Sequence, residues 1–188
     1  ALFRREIAYP LHLPRLGYRP LCGHLAPTED GFRWGGQIGD RTGGFRGPVP
    51  LGGAHDDNAA YLSSVAGHAG LFGDAESVWA LACQWSLALK GQSRIFTQEI
   101  LADFLTTRPT VEDIGRPLGF NVLSRLEGLR NSRLSLNSFG HTGYTGPALW
   151  WDSQADFIWL FLCNRVHPHA SNPNWRPGLY QGGPILNR

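Results

Sequence analysis

The sequence predicts an α+β fold in which helical segments precede antiparallel strands. Three observations carry that expectation. Apolar residues repeat with a helical period between 74 and 90, and the later segments 118–123, 148–151 and 157–163 are short runs of strand character. The 24 glycines and 13 prolines among 188 residues leave much of the remaining chain to turns and loops. This length is one domain's worth, enough to bury about 70% of the unfolded surface. With 42% hydrophobic and 17% charged residues, the chain is globular in composition and not disordered. A formal net charge of +2 is too small for a nucleic-acid footprint. No run approaches the roughly 20 apolar residues of a membrane span.

Residues 1–73 read as loop-rich. Pro10, Pro14, Pro20, Pro27, Pro48 and Pro50 interrupt any long element up to about residue 50. The glycine-rich stretch 35–53 carries Phe45, and Phe32 and Trp34 stand just before it, too much aromatic weight for a flexible linker. It is expected to be an ordered excursion packed on the domain. Residues 74–108 form the helical segment. Asp74 is a good N-cap, Glu76 places a negative charge in the first turn, and Val78, Leu81, Ala82, Trp85 and Leu89 make one apolar face. Lys90 and Gly91 end this helix. A second helix starts at Thr97, runs through Ile100, Leu101, Phe104 and Leu105, and is bounded by Pro109. Residues 118–167 supply the strands: Leu118–Leu123, Ala148–Trp151 and a buried Phe157–Cys163. Residues 153–156 fit a hairpin turn between the last two. The segment 168–188 reads as a coil tail.

Two scarcities limit the chemistry. There is no methionine, and Lys90 is the single lysine, so a mechanism that needs a catalytic lysine has one candidate. Cys22, Cys83 and Cys163 are an odd and widely spaced set, which excludes a disulfide framework. Cys83 and Cys163 sit in apolar runs and read as buried small hydrophobes. No secretory signal is visible at the start of the chain.

A G-x-S-x-G elbow, an H-E-x-x-H helix, a Walker loop and a G-x-G-x-x-G turn are all absent. Three segments remain. Gly140-His141-Thr142-Gly143-Tyr144-Thr145-Gly146 repeats glycine every third residue, which lets backbone N–H groups face a ligand. It reads either as a substrate-facing edge with a proton-handling histidine or as a tight turn into a strand. His55-Asp56-Asp57 reads as a metal site, a base–orienter pair or a helix N-cap. His68, between small residues, reads as a structural hydrogen-bonder ahead of a ligand.

Taken in order, AHDDNA, VAGHAGLF, an acid-capped helix, FGHTGYTG, a W-x-D strand, an apolar strand and CNRVHP resemble the serine β-lactamase-like family. The resemblance is to its class C, esterase and penicillin-binding branch. YPLHL-PRLGYRP and LAPTED are similar to that branch's early segments, so the likeness spans residues 8–172. It implies a partial β-lactamase-like fold: an antiparallel sheet with packed helices and a loop-rich first third. It further implies that His141, Thr142 and Gly143 form the H-T-G wall of an acyl-transfer site. The Tyr144 N–H would be one of two oxyanion donors, and Thr145, His55 and His68 would lie on the substrate side.

The chain departs from the family pattern in one respect. No serine is followed three residues later by lysine, and no Tyr-x-Asn occurs. In the family both precede the segment similar to YPLHL. The expectation is therefore the C-terminal portion of a hydrolase, inactive alone, whose partners are the missing N-terminal half and a small ester, amide or peptide substrate. No cofactor, metal or nucleic acid is implied. Family members are commonly periplasmic or secreted. Two rivals stand beside this reading. One is a non-catalytic binding protein that uses the old substrate wall. The other is a metal-dependent hydrolase built on His55, Asp56, His68 and His141.

Overall fold

A computed structural model of the chain describes residues 2–21, 23–29, 51–106, 116–123 and 133–168. Cys22, most of the glycine-rich stretch 35–53, Pro109 and the tail from 169 onward lie outside the described residues. In chain order the elements are α1 (Arg4–Ala8), β1 (Gly17–Tyr18), α2 (Asp57–Tyr61), β2 (Leu71–Phe72), α3 (Ala75–Leu89) and α4 (Gln98–Leu105). The strands β3 (Asn121–Val122), β4 (Phe139–Thr142), β5 (Ala148–Asp152) and β6 (Phe157–Phe161) follow. The α+β expectation with antiparallel sheets is met.

Both longer helices start where their caps predict. The Asp74 carboxylate accepts the Ser77 N–H at 2.9 Å, and the Thr97 hydroxyl accepts the Ile100 N–H at 3.2 Å. The end of α3 is a Schellman turn. Gln92 N–H donates to Leu87 O and Gly91 N–H to Ala88 O, with Gly91 at φ +68°. Arg15 braces the start of α3 through Asp74 and Glu76, at 2.7 and 3.0 Å. Lys90, the single lysine, pairs with Asp156 at 2.7 Å on an exposed surface. The irregular first third contains more order than its prolines imply. In α1, Tyr9 N–H reaches back five residues to Arg4 O, and β1 pairs with β2.

The main sheet has the order β3-β4-β5-β6, antiparallel throughout. β4 and β5 are its interior strands, and β5 has both faces covered. Successive side chains point to opposite faces, so the adjacent Trp150 and Trp151 enter different clusters. Trp150 packs with Leu123, Leu134 and Trp159. Trp151 packs with Ala88 of α3 and Leu101 of α4, and Trp85, Phe96 and Phe139 close around it. A strand covered on both faces, as β5 is, must be apolar on both.

Several expectations need correction. Leu118–Leu123 contributes only Asn121 and Val122 to a ladder, because residues 118–119 turn, with Gly119 at φ +74°. Phe157–Cys163 was expected as a buried strand, but β6 ends at Phe161 and is half-buried, since β5 is its only described strand partner. Cys83 and Cys163 are partly buried instead of fully buried, and burial pushes both thiols up. The apolar face of α4 is used on one stripe only. Leu101 and Leu105 pack, while Ile100 and Phe104 stay exposed. Leu89 of α3 is also exposed.

Asp152, at the end of β5, ties two loops to the sheet. Its carboxylate accepts the Ser135 N–H and hydroxyl at 2.7 and 2.8 Å, and the Gln154 and Ala155 N–H groups at 3.0 and 3.1 Å. Burial alone would push this carboxyl up, but the donors outweigh it and hold it below the usual carboxylate range.

Candidate active site

The segment 140–146 leads into a strand, β5, as expected, but it is not only a turn. Its first half is β4, and the turn follows. His141 faces Leu149 and Thr142 faces Ala148 across the ladder. The turn is closed by Gly143 N–H to Pro147 O at 2.7 Å and Gly146 N–H to Gly143 O at 3.0 Å.

The three glycines differ in what requires them. A Cβ on Gly140 would stand 2.3 Å from Leu149 O and 2.5 Å from the Trp150 ring. Gly146 sits at φ +128°, and a Cβ there would meet Cys163 Sγ at 2.7 Å. A Cβ on Gly143 would meet nothing closer than 3.4 Å, an ordinary contact with Pro147. Packing therefore demands glycine at 140 and 146 but not at 143.

His141 is exposed at this strand end. Its Nδ1–H donates to Thr142 O at 2.8 Å, and Nε2 accepts from Arg116 Nη2 at 3.3 Å. A carbonyl cannot donate and a guanidinium cannot accept, so the two contacts together select the neutral Nδ1–H tautomer. Arg116 also reaches Phe120 O through Nε, at 3.5 Å. Sequence reasoning missed Arg116. It lies 25 residues upstream, and only the antiparallel pairing of β3 with β4 brings its neighbourhood to His141.

Tyr144 lies at the turn with its ring half-exposed. Among the described residues its N–H donates to no group. Its carbonyl accepts from Arg165 Nε, whose guanidinium also lies 4.1 Å from the centre of the Tyr144 ring. Arg165 N–H donates to Thr145 O at 2.9 Å.

His55 stacks on the same tyrosine, 5.5 Å between ring centres. Its Nε2 meets the Glu29 carboxylate at 2.9 Å, and both side chains are 7% exposed. Glu29 also escaped the sequence reading, because nothing local marks its partner 26 residues away. Its segment is docked by Asn164, which donates to Pro27 O at 2.8 Å, and by His167, whose Nδ1 meets Thr28 O at 3.0 Å. Thus LAPTE, AHDDNA, FGHTGYTG and CNRVHP converge in space.

His68 is placed elsewhere. It meets Asp56 at 2.9 Å, and Asp56 caps α2 by accepting the Ala59 N–H at 2.8 Å. The cap alternative for Asp56 is thus the one realised. Burial pushes the Asp56 carboxyl up, but the Ala59 N–H and His68 together hold it below its usual range. A metal centre needs about four donors around one point. His55, Asp56, His68 and His141 are instead distributed over separate pairs, and among the described residues no group of three or more donors could hold a metal. Among them, too, no helix is long and apolar enough to cross a membrane.

No family model matches the chain. It is 30% identical to the N-acetylmuramyl-L-alanine amidase of Bacillus subtilis (strain 168) over 190 residues, covering 95% of this chain and 42% of that protein. It is 32% identical over 137 residues to a Salmonella gallinarum protein named "Putative D-alanyl-D-alanine carboxypeptidase", covering 70% of this chain and 31% of that protein. A Salmonella agona protein of the same name is 31% identical over the same share. The chain spans less than half the length of these curated relatives, and it is similar in sequence to proteins whose names are those of peptidoglycan-acting hydrolases.

Proposed function

We propose that this chain forms one wall of an acyl-transfer site in a β-lactamase-like serine hydrolase that cleaves amide bonds in peptidoglycan peptides. The observation that carries the reading is the Tyr144 N–H, which has no partner among the described residues and follows directly on His141-Thr142-Gly143. The names of the relatives support the substrate class.

In this reading a serine outside these 188 residues attacks the substrate carbonyl carbon. A base, also outside them, takes the serine proton. The carbonyl π pair moves to oxygen, and the Tyr144 N–H donates to that oxyanion together with the nucleophile's own N–H. Collapse expels the amine, which takes up a proton, and water then hydrolyses the acyl-enzyme. Thr142 adds a hydrogen bond to the substrate, and Gly143 leaves the approach open. Arg116, beside His141, carries a permanent charge. That charge suits a substrate carboxylate. It favours peptides with a free carboxyl end over neutral esters.

The test uses the polypeptide that carries this sequence in its native source. It is captured with an antibody, treated with a fluorescent penicillin, and the labelled peptide is mapped. The expected label is on a serine of a Ser-x-x-Lys outside residues 1–188, with release of D-alanine from a muropeptide. A label within the 188 residues refutes the assignment of roles. No label and no release refutes the hydrolase and leaves a binding protein.

A further inference from the structure

Residues far apart in sequence converge on Tyr144, the residue whose amide the proposed chemistry uses. In a trans peptide the C=O and N–H point in opposite directions. Gly146 N–H holds Gly143 O at 3.0 Å, so it orients the plane whose other end is the Tyr144 N–H and turns that N–H away from the inside of the turn. Glycines flank this plane closely, and glycine has the largest conformational freedom to lose. A Gly143-Tyr144-Thr145-Gly146 turn would sample several orientations unless something outside it held Tyr144.

Arg165 supplies such a hold at three points. Its Nε–H binds Tyr144 O, its backbone N–H binds Thr145 O at 2.9 Å, and its guanidinium covers the Tyr144 ring at 4.1 Å. His55 stacks against the same ring, and its own position is set by the buried contact with Glu29.

We propose that Arg165 and the His55–Glu29 pair are positioning residues that clamp Tyr144 so that its N–H keeps one direction. This rests on the acyl-transfer reading for its purpose, but the clamp is a physical property that can be measured without activity. His55 thereby acts through Tyr144 and not by touching substrate, which its burial supports.

The first experiment is ¹⁵N relaxation on the native polypeptide that carries this sequence. In the unsubstituted protein the Tyr144 amide is expected to be rigid, with an order parameter of about 0.85, and in Arg165→Met it falls below about 0.6. Arg165→Lys, which keeps the charge but not the fork, gives an intermediate value. An unchanged order parameter in Arg165→Met overturns the clamp. The Glu29→Gln variant checks the second arm with the shape of the pair retained. It loosens the same amide less, and loss of signal at Tyr144 in Arg165→Met but not in Glu29→Gln leaves Arg165 alone as the positioning residue.

The second experiment is kinetics on the native polypeptide. Arg165→Met is expected to lower kcat roughly tenfold to a hundredfold with KM within about twofold, since misplacement of a transition-state donor acts on the chemical step. A rise in KM with kcat unchanged makes Arg165 a substrate contact and overturns the positioning role. A rigid-to-loose transition by relaxation in a native protein without hydrolase activity sinks the acyl-transfer reading and leaves the clamp as structure only.

Discussion

Replacing Gly140 with alanine tests the geometry that presents the candidate site. Gly140 sits in β4 directly opposite Trp150 of β5. The added methyl carbon would stand 2.3 Å from Leu149 O and 2.5 Å from two carbons of the Trp150 ring. Neither neighbour can move freely. Leu149 O belongs to the backbone of an interior strand, and Trp150 is 1% exposed inside its cluster. Overpacking of this kind costs about 1–3 kcal/mol. For a domain of this size each kcal/mol moves Tm by roughly 2–4 °C, so Gly140→Ala is expected to melt about 2–12 °C lower. Gly143→Ala is the internal comparison. Its methyl group meets nothing within 3.4 Å, so the change in stability stays within about 0.5 kcal/mol. The assay is thermal or urea unfolding followed by fluorescence of the buried tryptophans. Equal Tm values for Gly140→Ala and the unsubstituted chain refute the reasoning. So does a Gly143→Ala loss as large as that of Gly140→Ala.

Three further outcomes are expected. Asp74→Ala removes the α3 cap and the Arg15 contact, and urea unfolding is expected to register a lower midpoint. Asp152 has a folded-state pKa held below its unfolded value of about 3.9. Its contribution to stability is therefore complete above that value and is lost as pH falls through the folded pKa. Asp152→Asn should flatten the acid limb of a stability–pH curve, and an unchanged limb would exclude this carboxylate as a source of acid sensitivity. Arg116→Gln in the native polypeptide should raise KM roughly tenfold to a hundredfold for a peptide ending in a carboxylate, with little change for its amidated form, as expected for loss of one charge-assisted contact of about 1.5–3 kcal/mol. Equal effects on both substrates would remove Arg116 from carboxylate recognition.

Local signals in the sequence determined the parts of this protein that depend on near neighbours. Asp74, Thr97 and Asp56 each precede a helix whose free N–H groups lie within three residues, so the caps were legible without any tertiary information. The Gly91 stop and the strand pair around residues 153–156 were legible for the same reason. The H-T-G segment was legible as a pattern of small and polar residues. Tertiary structure decided what depended on contacts between distant segments. The length and burial of β3 and β6 followed from their places at the edges of the described sheet, where one face or one side has no strand partner. The pairing of His55 with Glu29, of Arg116 with His141 and of Arg165 with Tyr144 joins residues 26, 25 and 21 positions apart. Charge, hydrogen bonding and ring stacking act through space within a few ångströms, and no periodicity along the chain records which side chains the fold will bring that close.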